Sequence, residues 1–248
     1  ILHGFFWLKA QSSLFQPVIA SQIQDKELLD RNSFPREYQL FELNVSQLKQ
    51  NIQFAPKRAS GINSNVLVTF PNGNGELSIY RVYEASVMTP QFQEMFPDNK
   101  SYIAENIQNP AEFIRFSITV FGFHGMIFQK NGIGFIDPYT KDKSTYIAYE
   151  KSTLVSNQNF ECLFEDIEDK VEGVHFSPKN PQQTLNNTGT FRTYRLALAS
   201  TEEYSQFHIN AAGVGSGSLV QRQNAVVAAM SVTMTRVNGI FERDFAVT

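Results

Sequence analysis

FRTYRLALASTEEYSQFH at 191–208 and VVAAMSVTMTRVNGIFERDFAVT at 226–248 decide how this chain is read. Tyr194, Leu196 and Leu198 alternate with Arg195 and Ala197, the period-two pattern of a strand with one buried face. Ser200 with Glu203 three residues later has capping-box spacing and predicts a helix start. After a glycine-rich turn, Val226, Met230, Thr233, Val237 and Ile240 step by four, three, four and three. That spacing predicts one face of a long amphipathic helix. Phe245, Ala246 and Val247 then predict a return to the sheet. A strand–helix–strand unit of this size favours a right-handed crossover between parallel neighbours. The expectation is a fragment, with the domain's chemistry lying past Thr248.

Working outward, 248 residues with 42% hydrophobic and 13% aromatic content fit one large domain or two small ones with a real core. A net charge of −3 argues against a nucleic-acid partner, which selects strongly basic surfaces. Low charge density and a single cysteine suit an exported bacterial protein that does not depend on disulfides. Residues 1–12, ILHGFFWLKAQS, read as the tail of a secretory signal, with Ala10 and Ser12 as a cleavage neighbourhood. The alternative is a hydrophobic first strand. No later segment is long and apolar enough to span a membrane.

Residues 13–165 read as an α+β module, an antiparallel β-rich domain with short helices packed on it. Ile114, Phe116, Ile118 and Val120 alternate with Arg115, Ser117 and Thr119, which predicts one buried and one wet face. Hairpins are predicted at Asn72-Gly73 and Asn131-Gly132, because Asn-Gly supplies the positive φ of tight turns. Val45 to Ile52 and Pro90 to Phe96 read as short helices. Residues 166–190 shift from acidic to Pro-, Asn-, Gln- and Thr-rich, with few apolar anchors. Such a segment predicts an exposed, protease-sensitive linker. Residues 191–248 would then begin a second, α/β domain of strand, helix, helix and strand, incomplete and lacking a core of its own.

The histidines, His3, His124, His175 and His208, form no i, i+4 pair, and no H-E-x-x-H occurs. His124 and His208 read as structural or surface residues. The run Gly213 to Ser218 lacks dinucleotide spacing and a phosphate-binding lysine, so it reads as a helix-to-helix turn capped by Ser218. The acidic residues from Glu161 to Asp169 read as a solvated run without calcium-loop spacing. Cys162, the one thiol, is either a small buried hydrophobe among Phe160, Leu163 and Phe164, or a thiolate placed to reach a zinc in the following domain.

The order of parts resembles a secreted bacterial zinc metallopeptidase precursor of the reprolysin-like branch of the metzincins. NIQFAPKRASG, ELSIYRVYEASVM, EFIRFSITVFGFHGMIF, GFIDPYTKDKSTYIAYE and NFECLFED look like that family's propeptide. FRTYRLALASTEEYSQFH and MTRVNGIFERDFAVT look like the first strand, first helix and second strand of its catalytic domain. The resemblance implies an extracellular endopeptidase that hydrolyses peptide bonds with zinc-activated water. It also implies protein or peptide substrates, a propeptide–catalytic domain contact in cis, and zinc ligands on a helix beyond Thr248. None of those ligands is in this sequence, so no catalytic residue is carried over. Propeptides of related enzymes block zinc with a cysteine, and Cys162 is the candidate metal ligand here, without that motif's usual flanking residues. Two other readings compete: a secreted binding or adhesion protein built on the β-rich domain, and an inhibitor in which residues 36–165 act in trans.

Overall fold

From Leu67–Pro71 to Thr145–Glu150 each strand-forming run pairs with its neighbour in sequence. Long-range pairings of Gln39–Leu43 with Thr145–Glu150, Phe15–Val18 with Gln39–Leu43 and Ser33–Pro35 with Leu154–Ser156 complete the architecture. A computed structural model describes residues 14–130, 132–156 and 192–248. In chain order the elements begin with β1 (Phe15–Val18), β2 (Ser33–Pro35), β3 (Gln39–Leu43), α1 (Val45–Ile52), β4 (Leu67–Pro71) and β5 (Leu77–Glu84). They continue with α2 (Pro90–Met95), β6 (Lys100–Asn106), β7 (Phe113–Thr119), β8 (Gly122–Gln129), β9 (Gly132–Pro138), β10 (Thr145–Glu150) and β11 (Leu154–Ser156). Beyond residue 191 come α3 (Glu202–Ala211) and α4 (Leu219–Phe245).

The class is α+β. Strands β4 to β10 form an antiparallel meander, and β3 then β1 extend it beyond β10 into a nine-stranded sheet. β2 and β11 pair separately. The sheet curls until its outermost strands, β1 and β4, come back into contact. Inside the curl, Phe15, Phe70, Phe116 and Phe123 form one aromatic cluster, with Phe15 and Phe70 ring centres 5.7 Å apart. Each such ring pair adds about 1 kcal/mol beyond the area it buries. Helix α1 lies against this core through Leu48 and Ile52, and Asn44 caps it by accepting from the Gln47 amide at 3.0 Å.

Both hairpins form, but the first does not turn on Asn72-Gly73. The Asn72 side chain accepts from the amides of Asn74 and Glu76, each at 2.9 Å, and Gly75 takes the positive φ of 85°. An asparagine able to bond the backbone ahead of it has converted a two-residue turn into a longer loop. Asn131, in the second hairpin, lies outside the described residues. α3 is capped by Thr201 rather than Ser200, whose hydroxyl bonds Ser205 instead. Ser218 caps α4 as read, in a reciprocal capping box with Gln221.

Two departures from the sequence reading matter more. The polar face of β7 is not wet: Arg115, Ser117 and Thr119 are buried. What covers that face is α4, which runs antiparallel along β7, touching Asn99 through Asn224, Ser101 through Thr235 and Arg115 through Glu242. The helix face against the sheet is also different. Ala225, Ala228, Ala229, Ser231, Thr235 and Gly239 are buried, whereas Val226, Met230, Val237 and Ile240 are half-buried and Thr233 is exposed. Small side chains let the helix axis approach closely enough for polar groups of both elements to bond. Residues 192–248 therefore do have a surface to cover.

The predicted strand at Tyr194 to Leu198 does not form, and Tyr194, Leu196 and Leu198, read as its buried face, are exposed. Arg192 bridges Val247 in parallel, joined by bonds through Ala246, Tyr194 and Thr248. The return strand read at Phe245, Ala246 and Val247 does not form: α4 runs through Phe245, Ala246 ends it in a left-handed conformation, and one isolated bridge takes the place of a parallel strand pair. The domain boundaries at 1–12 and 166–190 fall outside the described residues.

Gly239 tests how closely the helix sits. A Cβ there would lie 2.6 Å from the Phe128 ring, which stacks on Phe113 with ring centres 4.5 Å apart. Gly239→Ala should destabilise the protein by about 1–3 kcal/mol, although alanine is the better helix former by about 1 kcal/mol. Urea denaturation reads the sign, and a stabilised variant would contradict the docking.

Candidate functional site: an ionic clamp under the long helix

Arg115 stands in the middle of β7, on the face that α4 covers, and its side chain is 1% exposed. A guanidinium so placed requires an anion. Glu242, in the last turns of α4, provides it at 3.1 Å and is itself 6% exposed. Glu242's second oxygen binds Arg58 at 3.1 Å, from the loop after α1, and that arginine is 39% exposed. The Ala85 carbonyl accepts from Arg115 at 3.4 Å. Burial pulls Arg115 down to about 10, with Glu242 opposing the shift and Arg58 adding to it. It stays charged at neutral pH. A cleft of about 780 Å³ opens beside this pair, lined by Lys57, Met88, Pro97 and Lys100 among others.

A second centre lies on β9. The Asp137 carboxylate pairs with Arg236 of α4, accepts from the Tyr149 hydroxyl at 2.9 Å, and lies 3.8 Å from Arg31. Burial alone would raise Asp137, but Arg236, His124, Arg31 and Tyr149 together hold it below the usual carboxylate range. Burial and the neighbouring carboxylate push Tyr149 up. His124 on β8 stands opposite Ser117 on β7 and, one step past the Gly125–Ile136 pair, opposite Asp137. Its ring keeps some exposed edge, yet Nδ1 is sealed from solvent with no hydrogen-bond partner in the protein. Taking the ring out of water therefore disfavours the imidazolium. Burial pushes His124 down to about 4; Asp137 and the Gly122 backbone oppose this, while Arg236 and Arg31 add to it.

On the β6 side of the contact, the Ser101 and Thr235 hydroxyls bond at 2.8 Å, and Asn99, just before β6, donates to Asn224 at 3.0 Å. Arg236 also lies over the Phe135 ring at 5.2 Å, and Arg243 over Phe128 at 5.1 Å. The arrangement recognises one helix in one register. Ser117, His124 and Asp137 are the residue types of a nucleophilic triad in one row, but Ser117 Oγ makes no hydrogen bond and the row is covered. A serine without a bonded base is not activated.

The sequence did not single out Arg115, Glu242, Asp137, Arg236 or Arg31. One signal was there: a lone arginine among small polar residues in a strand that otherwise alternates with large apolar ones. His208 lies in the last turn of α3, among Phe121, Tyr204 and Phe207. Cys162, His3, His175, the linker and the acidic run lie outside the described residues. Among the described residues no three His, Cys, Asp or Glu side chains converge to hold a metal, so they do not fit a zinc site, and no catalytic step through zinc is derived. No described helix is long and apolar enough to cross a membrane.

The clamp predicts an asymmetry between two neighbouring substitutions. Glu242→Gln strands Arg115 as a buried, unbalanced charge and should cost about 3–5 kcal/mol. Arg58→Gln removes a partly solvated partner and should cost about 1 kcal/mol or less. Denaturation midpoints of the two variants give the comparison, and equal losses would mean that Arg115 is not paired as described.

No protein-family model matches the chain, and neither a curated protein nor a solved structure matches it. A functional reading rests on the sequence motifs and on this helix–sheet geometry.

Proposed function

We propose that residues 13–165 are the folding and latency domain of a secreted zinc metalloendopeptidase of the reprolysin-like metzincin kind, and that residues 191–248 are the first elements of its catalytic domain. The observation that carries the reading is the divided character of the second segment. One side is matched to the sheet, through the small-residue face of α4 and the Glu242 and Arg236 pairs. Elsewhere in the segment Tyr194, Leu196 and Leu198 are 63%, 67% and 52% exposed, and Phe207 and Phe245 are exposed too. Tyr194, Leu196 and Leu198 recur at every second residue, and large apolar side chains left exposed in such a run are what a further element would cover. A catalytic domain growing from this segment would cover these side chains, while the first domain holds the small-residue face of α4.

In this reading the clamp is the propeptide–catalytic domain contact in cis, and the substrates are proteins or peptides. The zinc and its ligands belong to the longer enzyme, and the 248 residues are inactive alone. Cys162 is the candidate latency ligand for that zinc. Cleavage within 166–190 would separate the two domains covalently and begin activation.

The complete coding region, expressed and assayed for bound zinc and peptidase activity before and after cleavage within 166–190, tests this. One zinc per chain, silence before cleavage and activity after it are expected. A complete protein that retains no zinc and hydrolyses no peptide would leave the first domain as a binding or adhesion module. Cys162→Ala should release activity without cleavage, and unchanged latency would remove Cys162 from the scheme while leaving the rest.

A further inference from the structure

His124 stands in the row Ser117, His124, Asp137 beside the helix–sheet contact, with its Nδ1 sealed from solvent and unbonded. We propose that the clamp is an acid-weakened latch, in which a proton on His124 loosens α4 from the sheet. The proposal deepens the latency reading and rests on it for its biological sense, but its physical content is confined to the contact itself.

Charged and titratable groups reach this point from every element around it. Asp137 comes from β9, Tyr149 from β10, Arg236 from α4 and Arg31 from the segment before β2, with Ser117 opposite on β7. Two guanidiniums already share one carboxylate. A cationic His124 would make three positive charges against one negative charge, beside an Nδ1 that is sealed from solvent and unbonded. Asp137 cannot absorb the change, because its ion pairs keep it ionised in mild acid. Lifting α4 removes the Arg236 cation and weakens the repulsion on a charged ring.

The direction of the pH effect follows from the neutral ring being favoured while α4 is docked. The contribution to docking is complete above the ordinary histidine range. It is lost progressively as the pH falls from about 6.5 toward 4. His208 on α3 is also held low by burial and also favours opening in acid, so the two histidines must be separated by substitution.

Amide hydrogen exchange along α4, corrected for intrinsic rates, reads the latch in the intact chain. Between pH 7.5 and pH 5.0 the opening constant of α4 should rise on the order of tenfold. The rise should persist in His208→Gln and vanish in His124→Gln. Should His124→Gln fail to fold, Arg236→Gln removes the repelling cation and should blunt the rise. A wild-type α4 whose opening is flat across this range overturns the proposal, as does a rise undiminished in both His124→Gln and Arg236→Gln. Exchange needs neither zinc nor peptidase activity, so this result and the test of the protease reading fail independently.

Discussion

A guanidinium in the centre of a β-sheet has few ways to exist, and Arg115 has one of them. Its partner is not on the sheet but on a helix more than a hundred residues later in the chain, where Glu242 supplies the charge. Removing two such charges from water costs several kcal/mol per ion, and mutual attraction offsets this only with good geometry and further hydrogen bonds. The pair is therefore weak ground for overall stability. Its value lies in specificity: with α4 absent or shifted by a turn, Arg115 is left buried or exposed without its anion. The register of the helix on the sheet follows from that constraint, and Asp137 with Arg236 repeats it nearby.

The small-residue face of α4 makes the constraint geometrically possible. Alanine, serine, threonine and glycine at the contact bring backbone close to backbone, so Thr235 reaches Ser101 and Gly239 lies on the Phe128 ring. Large apolar residues there would have held the helix away and left the polar face of β7 unpaired. The same economy leaves the half-buried Val226, Met230, Val237 and Ile240 on other sides of the helix, with α3 beside them. One helix thus presents a polar, small face to one neighbour and a larger apolar surface elsewhere. That division is what a segment needs if it belongs to a second domain but is held by the first.

The connection to function runs through that division of faces. A latency domain must bind its enzyme's early elements tightly enough to persist and yet be able to let them go. A contact dominated by buried ion pairs and hydroxyl bonds, rather than by interlocked apolar side chains, loses its attraction when one charge changes. His124 sits where such a change would be felt, beside Asp137, Arg236 and Arg31. The aromatic core inside the curled sheet, by contrast, has no titratable group at its centre other than tyrosine hydroxyls.

Local structure was legible because it depends on nearest neighbours in sequence. The α1 span, the meander of hairpins and the Ser218 cap follow from side-chain period, turn residues and capping chemistry acting within a few positions. The helix cap at Thr201, one residue from the reading, and the loop built by Asn72 show the limit of that accuracy, since neighbouring polar side chains compete for the same amides. What the alternation of Ile114, Phe116 and Ile118 with Arg115, Ser117 and Thr119 cannot say is what lies over the polar face. Water and a helix lined with hydroxyls and charges both satisfy that pattern equally well. Only the tertiary structure decided between them, because the choice depends on whether a distant Glu242 can be brought to 3.1 Å of Arg115, which is a fact about the folded chain and not about any stretch of it.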